Sequence, residues 1–281
     1  MSASSPARRG SAAEMPRSAH RLRSALRTAG AGAAVLLALS GCSASGSSAS
    51  GTGEDGPSGT VTVFAAASLT ESFTTLGERF EKEHPGTEVT FNFGGSDTLA
   101  AGISGGAPAD VFAAASTGTM KLVTDEGHTA GSPSTFVRNR LEIATLPGNP
   151  HGIGSLKDLT APGLKVVLCD STVPCGSAAR TALTAAGVEL TPVSYEQDVR
   201  SALTKVELKE ADAAVVYRTD VRAAGDKVEG VEFPESAEAV NDYPIARLEN
   251  APNPTAAKAF VALVKSPEGR KVLTGAGFLA P

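Results

Sequence analysis

The stretch VTVFAAASLTESF, residues 61–73, predicts a strand that leads directly into a helix. Residues 61–67 are apolar except for one threonine, a run typical of a strand buried on both faces. From Leu69 onward the apolar side chains recur every three or four positions, which is the spacing of a buried helix face. Ser68, with Glu71 three positions later, is the signature of a capping box. The stretch therefore predicts one strand-and-helix unit of an α/β fold.

The same alternation continues to the C-terminus and predicts mainly parallel sheets. Further strands are predicted at residues 87–93, 110–114, 164–168, 213–216, 228–233 and 243–248. The chain is predicted to pass between two sheets near residues 138–143 and again near residues 241–247. The expected fold class is α/β with two domains, each a mainly parallel sheet flanked by helices, joined by two crossover strands. Domain 1 is predicted at 59–140 and 244–281, and domain 2 at 141–243.

Residues 1–41 predict a secretory signal. They hold six arginines and one glutamate, and an uncharged, largely apolar run of eleven residues lies at 29–39. About 20 apolar residues are needed to span a bilayer, so this run fits a cleaved signal and not a transmembrane helix. We expect the chain to be exported, with either Met1 or Met15 as its start.

Cys42 follows this run, and the tetrapeptide LSGC at 39–42 resembles the bacterial lipobox, in which the cysteine is acylated and becomes the mature N-terminus. We expect a lipid on Cys42 to anchor the protein to the outer face of the cytoplasmic membrane. The alternative is ordinary cleavage near this point, which would leave a free thiol. Residues 42–58 are mostly Ser, Gly, Ala and Thr, which predicts a flexible tether.

The charge of the chain argues against nucleic-acid binding. The whole sequence carries 25 basic and 30 acidic residues, a net charge of −5. Beyond residue 41 there are 19 basic and 29 acidic residues, a net charge of −10. A nucleic-acid-binding protein needs a basic face to replace the counterions of the phosphates. An anionic ligand would have to be held by local dipoles, because the overall field opposes its approach.

Hydroxyls and glycines recur where predicted strands end and helices begin. Predicted strands are followed by Ser68, by the pair Gly95-Ser96 and by residues 174–177. Another helix is predicted to begin near residues 197–199. Helix N-termini present unpaired N–H groups and a partial positive charge, and ligands of parallel sheets bind at this edge. The pattern favours an anion site, although each serine taken singly has a second explanation as an ordinary N-cap.

Five segments resemble, in the same order, the periplasmic molybdate-binding proteins of ATP-driven uptake systems. They are VTVFAAASLTESF (61–73), FGGSDTLAAGISGGAPADVF (93–112), VPCGSAAR (173–180), QDVRSAL (197–203) and AVVYRTD (214–220). The resemblance covers roughly residues 60–281 and implies the type II periplasmic-binding-protein fold.

The resemblance also implies a ligand and a set of site residues. Members of this family hold the tetrahedral dianion of molybdate or tungstate between two domains, using hydroxyls and main-chain N–H groups. By matched position, the implied donors are the hydroxyls and N–H groups of Ser68 and Ser96, the N–H groups of Cys175 and Val199, and the hydroxyl of Tyr217. Asp97 departs from the family pattern, because a carboxylate there would repel a dianion or accept a proton from phosphate.

Together these features predict a monomeric binding protein that uses no cofactor and catalyses no reaction. It would capture molybdate or tungstate and deliver it to a membrane permease driven by a cytoplasmic ATPase. The alternative is a binding protein for another tetrahedral oxyanion, sulfate or phosphate. A secreted hydrolase is the remote alternative, and the chain contains no S-x-x-K, H-E-x-x-H or Walker A string.

Cys169 and Cys175 are the only cysteines besides Cys42. In an exported chain they form the one available pair and are close in sequence, so we expect a disulfide between them. A metal site is the alternative, but His84, His128 and His151 are scattered without the spacing of a zinc motif.

Overall fold

Two five-stranded sheets form the framework of residues 56–281, the part of the chain that the computed structural model describes. Residues 1–55, with the predicted signal, Cys42 and most of the predicted tether, lie outside the described residues. The strands are β1 (Gly59–Ala66), β2 (Thr87–Gly94), β3 (Val111–Ala113), β4 (Ser134–Asn139), β5 (Leu141–Thr145), β6 (Val166–Cys169), β7 (Ser194–Glu196), β8 (Ala213–Tyr217), β9 (Glu229–Val231) and β10 (Asn241–Arg247). One sheet has the order β2-β1-β3-β10-β4 and forms lobe 1; the other has the order β7-β6-β8-β5-β9 and forms lobe 2.

Eight α-helices lie in the described residues and flank the sheets. They are α1 (Thr70–Glu83), α2 (Ser96–Ser104), α3 (Thr117–Asp125), α4 (Pro174–Ala186), α5 (Val199–Glu207), α6 (Arg218–Ala224), α7 (Pro254–Lys265) and α8 (Pro267–Gly275). Side chains of Ser116, Asn253 and Ser266 cap α3, α7 and α8 by accepting a hydrogen bond from a first-turn N–H. Within residues 56–281, none of the helices is both long and apolar enough to cross a membrane.

The predicted two-domain α/β fold is confirmed, and its sheets are mixed. In each sheet four strands run in one direction and one runs against them. The reversed strand of lobe 1 is β10, and that of lobe 2 is β5. Both are the strands with which the chain enters one lobe from the other. Each of these two strands therefore runs opposite to the other four strands of its sheet.

The lobes are joined by two adjacent crossings. Strand β4 ends at Asn139 in lobe 1, and β5 begins two residues later in lobe 2. The chain returns just before β10, whose first residue, Asn241, pairs with Asn139. Asn241 thus belongs to the sheet of lobe 1, and the boundary predicted from the sequence lies at residue 244. Two crossings side by side restrict how the lobes can move relative to each other.

Each lobe has its own apolar core. In lobe 1, Phe73 of α1 and Phe260 of α7 meet edge to face on one side of the sheet. On the other side Phe64 and Phe112 pack beneath α2 and α3. In lobe 2 the buried face of α4 packs with the central strands β6 and β8. This packing places strand ends and helix N-termini at the cleft between the lobes.

Candidate anion-binding site

A small cavity lies in the cleft, and all five predicted site residues line it. Ser68 and Ser96 line it from lobe 1, and Cys175, Val199 and Tyr217 line it from lobe 2. The remaining lining residues are Ala66, Ala67, Gly94, Gly95, Ala115, Val173, Pro174, Gln197 and Asp198.

The cavity is small. Its volume is about 20 Å³. One water needs roughly 10–15 Å³, whereas pockets for organic ligands typically have about 300–1,000 Å³. In this arrangement of the lobes, the space between them is far smaller than such pockets.

Ser96 is the first residue of α2, and its hydroxyl does not cap that helix. The N-cap is Gly95, which has no capping side chain. The Ser96 hydroxyl instead accepts a hydrogen bond of 3.0 Å from the N–H of Ala115, two residues beyond the end of β3. The capping explanation of Ser96 is therefore wrong, and the hydroxyl proton remains available to a ligand.

Ser68 lies in a 3₁₀ turn, Ala67–Leu69, between β1 and α1. Its hydroxyl is 2.8 Å from the hydroxyl of Tyr243 on β10. The predicted capping box of Ser68 with Glu71 is wrong, because α1 begins at Thr70 without a side-chain cap. The Glu71 carboxylate instead pairs with Arg200 of lobe 2 at 2.8 Å.

Two helices of lobe 2 direct their N-termini at the cavity. Cys175 is the second residue of α4, whose N-cap has no capping side chain. Val199 is the first residue of α5, where the Asp198 carboxylate accepts hydrogen bonds from the N–H groups of Arg200 and Ser201. The N–H groups of Cys175 and Val199 have no partner within their helices. They are donors strengthened by the helix dipole.

Tyr217 ends β8 and supplies a phenol that stays neutral. The side chain is 1% exposed. Burial, with a contribution from the neighbouring Tyr243, raises the pKa of Tyr217 well above its ordinary value of 10.0. Its hydroxyl accepts a hydrogen bond of 2.9 Å from the side-chain amide of Asn241 on β10. Tyr217 therefore keeps its proton, and its hydroxyl lies in the lining of the cavity.

The cavity lining offers hydrogen-bond donors but contains no lysine, arginine or histidine. Its one carboxylate, that of Asp198, is occupied by the first turn of α5 and by the Ser201 hydroxyl at 2.8 Å. Asp97 does not line the cavity but a neighbouring groove of about 490 Å³, where its Oδ1 is buried without a hydrogen-bond partner. A fully deprotonated anion fits such a lining, because every cavity-facing donor then finds an acceptor.

Cys169 and Cys175 are joined by a disulfide, with Cα atoms 5.8 Å apart. The bond links the end of β6 to the start of α4 and so holds the Cys175 N–H at the cavity. Gly176 allows this tight turn, because a Cβ there would be 1.8 Å from the carbonyl oxygen of Asp170. Within residues 56–281, no group of three His, Cys, Asp or Glu side chains is placed to hold a metal ion.

Residues 102–106, GISGG, match the G-x-S-x-G pattern of hydrolase nucleophiles. Ser104, however, is the exposed last residue of α2, where the nucleophile of such an enzyme would lie on a sharp turn from strand to helix. The match has no structural context that would activate a serine.

Sequence reasoning missed the residues behind the site: Ala115, Asn139, Asn241 and Tyr243. Asn241 lies in the segment predicted as a crossover, and Tyr243 is the first residue of the strand predicted at 243–248. Their contacts with Tyr217 and Ser68 span 24 and 175 positions of the chain. No spacing rule in the sequence signals such contacts.

Residues 61–279 match the family described as bacterial extracellular solute-binding protein. The chain is 43% identical over 249 residues to the molybdate-binding protein ModA of Mycobacterium bovis, covering 89% of this chain and 95% of that protein. It is 34% identical over 231 residues to ModA of Escherichia coli, covering 78% and 89%. The periplasmic molybdate-binding protein of Azotobacter vinelandii has a similar structure, with a TM-score of 0.69 at 21% identity, over 79% of this chain and 99% of that chain.

Proposed function

The chain belongs to the bacterial extracellular solute-binding proteins, in the family of the molybdate-binding proteins, and from that premise we propose that it captures molybdate outside the cytoplasmic membrane and delivers it to an ABC importer. A binding protein needs no catalytic group. The observation that carries the proposal is the small cavity between the lobes, lined by neutral donors from both of them.

The donors supply the attraction that the net charge of the protein does not. Molybdate is a tetrahedral dianion, and the folded part of the chain is acidic. A hydrogen bond to a charged group contributes roughly 1.5–3 kcal/mol. Two hydroxyls and their N–H groups in lobe 1, with two helix N-termini and a phenol in lobe 2, surround the anion with such bonds. Because the donors come from both lobes, the ligand favours the closed arrangement.

Closure depends on the ligand more than on the ion pair that crosses the cleft. The Arg200–Glu71 pair crosses the cleft, but its side chains are 35% and 46% exposed. Exposed pairs of this kind contribute about 0–1 kcal/mol. We propose that the lobes open about the double crossing in the absence of the anion, and that the importer recognises the closed form.

Tungstate is proposed as a second ligand. It is a tetrahedral dianion of nearly the same size as molybdate, and the donors of the cavity offer no group that would separate the two. Sulfate and phosphate are the competing candidates. Phosphate carries a proton at neutral pH, which would require an acceptor in the lining.

We also propose that the exported protein acts as a monomer tethered by a lipid on Cys42, which lies outside the described residues. The motif at 39–42 and the tether at 42–58 support this arrangement. Intact mass of the membrane-associated protein tests it: a mature chain that begins elsewhere, or lacks added acyl mass, contradicts the anchor.

Two serine variants separate ligand binding from helix capping. Ser96→Ala removes a hydroxyl that does not cap α2, so we expect molybdate affinity to fall about 10- to 100-fold, as for loss of one charge-assisted bond. The matched control is Ser116→Ala, which removes the true N-cap of α3. It should cost about 1 kcal/mol of stability and leave affinity unchanged.

Calorimetry with molybdate and urea unfolding of both variants give the two readouts. If Ser96→Ala leaves the affinity for molybdate at the wild-type value, its hydroxyl does not contact the ligand and the proposed site is wrong.

A further inference from the structure

A disulfide connects the sheet of lobe 2 to the lining of the cavity. It joins Cys169, the last residue of β6, to Cys175, the second residue of α4, which lines the cavity. We infer that this disulfide is a positioning element of the anion site: its reduction weakens oxyanion binding, and a bound oxyanion protects the bond from reduction. The inference rests on the proposed function and deepens it, because it gives the same site a redox dependence.

The start of α4 lacks the side-chain cap that holds the start of α5. At α5 the Asp198 carboxylate accepts hydrogen bonds from the N–H groups of Arg200 and Ser201 and from the Ser201 hydroxyl, at 2.8, 2.9 and 2.8 Å. At α4 the N-cap residue, Val173, has no capping side chain. The disulfide at Cys175 therefore holds the first turn of α4 where α5 has a carboxylate.

The loop between β6 and α4 is fixed only by weak local contacts. Its middle residues, Ser171 and Thr172, are exposed, and Thr172 donates from its N–H and hydroxyl to the Asp170 carboxylate at 2.9 and 2.6 Å. Val173 is buried in the core of lobe 2, but apolar contacts are non-directional. Strand β6, in contrast, lies between β7 and β8 and is buried along its whole length. The disulfide thus ties the start of α4 to the interior of lobe 2.

A loosened start of α4 weakens the proposed contact between the Cys175 N–H and the anion. The groups of a binding site must be held within about 0.5 Å of their productive positions. Ser68 and Ser96 belong to lobe 1 and do not follow a shift of α4. Loss of one charge-assisted hydrogen bond corresponds to roughly a tenfold loss of affinity. We therefore expect the reduced protein to bind molybdate about tenfold more weakly.

Reduction by a dithiol converts the bond into two thiols. A thiolate of the reductant attacks one sulfur and breaks the S–S bond, and its second thiol then displaces the cysteine from the mixed disulfide. Two electrons and two protons pass to Cys169 and Cys175, and the dithiol becomes a cyclic disulfide. The two cysteines are 2% and 3% exposed. Cys169 also lines a pocket of about 290 Å³ formed by lobe 2, from which a small dithiol can approach.

Binding and reduction are linked in both directions. If the reduced protein binds molybdate tenfold more weakly, saturating molybdate makes the disulfide tenfold harder to reduce. For a two-electron couple, a factor of ten corresponds to about 30 mV. A disulfide that only stabilises the fold of lobe 2 would give no such shift, because its reduction would leave the affinity of the folded protein unchanged.

Replacing both cysteines with alanine tests the effect on affinity. Calorimetry of Cys169→Ala/Cys175→Ala with molybdate should give about tenfold weaker binding than the wild type. The matched control is Leu159→Ala, which removes a buried apolar side chain of lobe 2 that does not line the cavity. The control should unfold at a lower urea concentration and keep wild-type affinity. If the double alanine variant does not fold, Cys169→Val/Cys175→Ala takes its place, because it leaves less empty space in the core.

Redox titration of the wild type tests the reverse effect. The protein is equilibrated with mixtures of reduced and oxidised dithiothreitol, with and without saturating molybdate, at a temperature where circular dichroism shows that the reduced protein is folded. Alkylation and mass spectrometry of the peptides that contain Cys169 and Cys175 give the reduced fraction. The midpoint potential should be about 30 mV more negative with molybdate.

The outcomes separate this inference from the proposed function. Wild-type affinity in the folded double variant would overturn the inference and leave the proposed function standing, and so would a midpoint potential that molybdate does not move. If the wild type binds no oxyanion, the proposed function fails and the inference fails with it.

Discussion

Replacing Gly95 with alanine is expected to weaken molybdate binding at least a hundredfold and to leave the empty protein as stable as the wild type. A Cβ at this position would be 2.6 Å from the main-chain oxygen of Gln197 in lobe 2. Real Cβ atoms do not approach this closely, so the lobes must stay further apart. Within lobe 1 the substitution is tolerated, because Gly95 has φ −59° and ψ 130°, which any residue adopts, and the nearby Asp97 side chain can move.

The size of the effect follows from the donors that lobe 2 contributes. A cleft held open separates the ligand from Cys175, Val199 and Tyr217, which all lie in lobe 2. Weakening two charge-assisted bonds by about 1.5 kcal/mol each already corresponds to roughly a hundredfold loss of affinity.

Gly102→Ala is the matched control for this variant. It adds the same methyl group within α2, the helix whose N-cap is Gly95, where the nearest atoms would be 3.8 Å away, an ordinary contact. Calorimetry should find wild-type affinity in the control and little binding in Gly95→Ala. Wild-type affinity in Gly95→Ala would show that the lobes do not hold the ligand in the closed arrangement of this structure.

Replacing Asp220 with asparagine is expected to remove most of the pH dependence of stability between pH 5 and pH 8. Asp220 lies in the first turn of α6, is 1% exposed, and accepts a hydrogen bond of 3.0 Å from the Tyr217 N–H. Burial raises its pKa from the ordinary 3.8 to about 7, although the Tyr217 N–H and Arg200 act in the opposite direction.

The sign of the effect follows from the raised pKa. Between pH 4 and pH 7 the folded protein keeps a proton on Asp220 that the unfolded chain has released. The resulting stabilisation is complete below about pH 4 and is lost as the pH rises through about 7. The difference between a pKa of 3.8 and one of about 7 corresponds to roughly 4 kcal/mol. Asparagine keeps the acceptor for the Tyr217 N–H and has no proton to lose.

Urea unfolding of the ligand-free proteins at pH 5 and pH 8 measures this effect. The wild type should lose several kcal/mol between the two pH values, and the variant should lose much less and be the more stable protein at pH 8. A smaller fall should remain in both, because burial also raises the pKa of Glu142. Parallel pH profiles for the two proteins would contradict the assignment to Asp220.

Features that depend on neighbouring residues could be predicted from the sequence. The apolar run and helical spacing of residues 61–73 gave the first strand and helix within one or two residues. Helices begin in the structure at Pro174 and Val199, within the segments 174–177 and 197–199 that the sequence analysis singled out. Helix N-termini at strand ends share one edge of a sheet, so their gathering in the cleft followed from the fold class.

Features that depend on distant residues could not be predicted. Ser68 and Glu71 have the local spacing of a capping box, yet their partners are Tyr243 and Arg200. Those contacts form because the lobes close and β10 is buried. Neither feature produces a periodic pattern in the sequence. The reversed direction of β5 and β10 has the same origin, since it depends on where the chain crosses between lobes.

Calorimetry of the purified wild-type protein with molybdate, tungstate, sulfate and phosphate tests the central claim most directly. A cavity of about 20 Å³ lined by neutral donors predicts one tight site per chain for molybdate and tungstate. The lack of a free acceptor in the lining predicts weaker binding of hydrogen phosphate, and the proposed function predicts weaker binding of sulfate. Sulfate or phosphate binding as tight as molybdate would contradict the proposed specificity, and no binding of any of the four anions would contradict the assignment of the cavity as an oxyanion site.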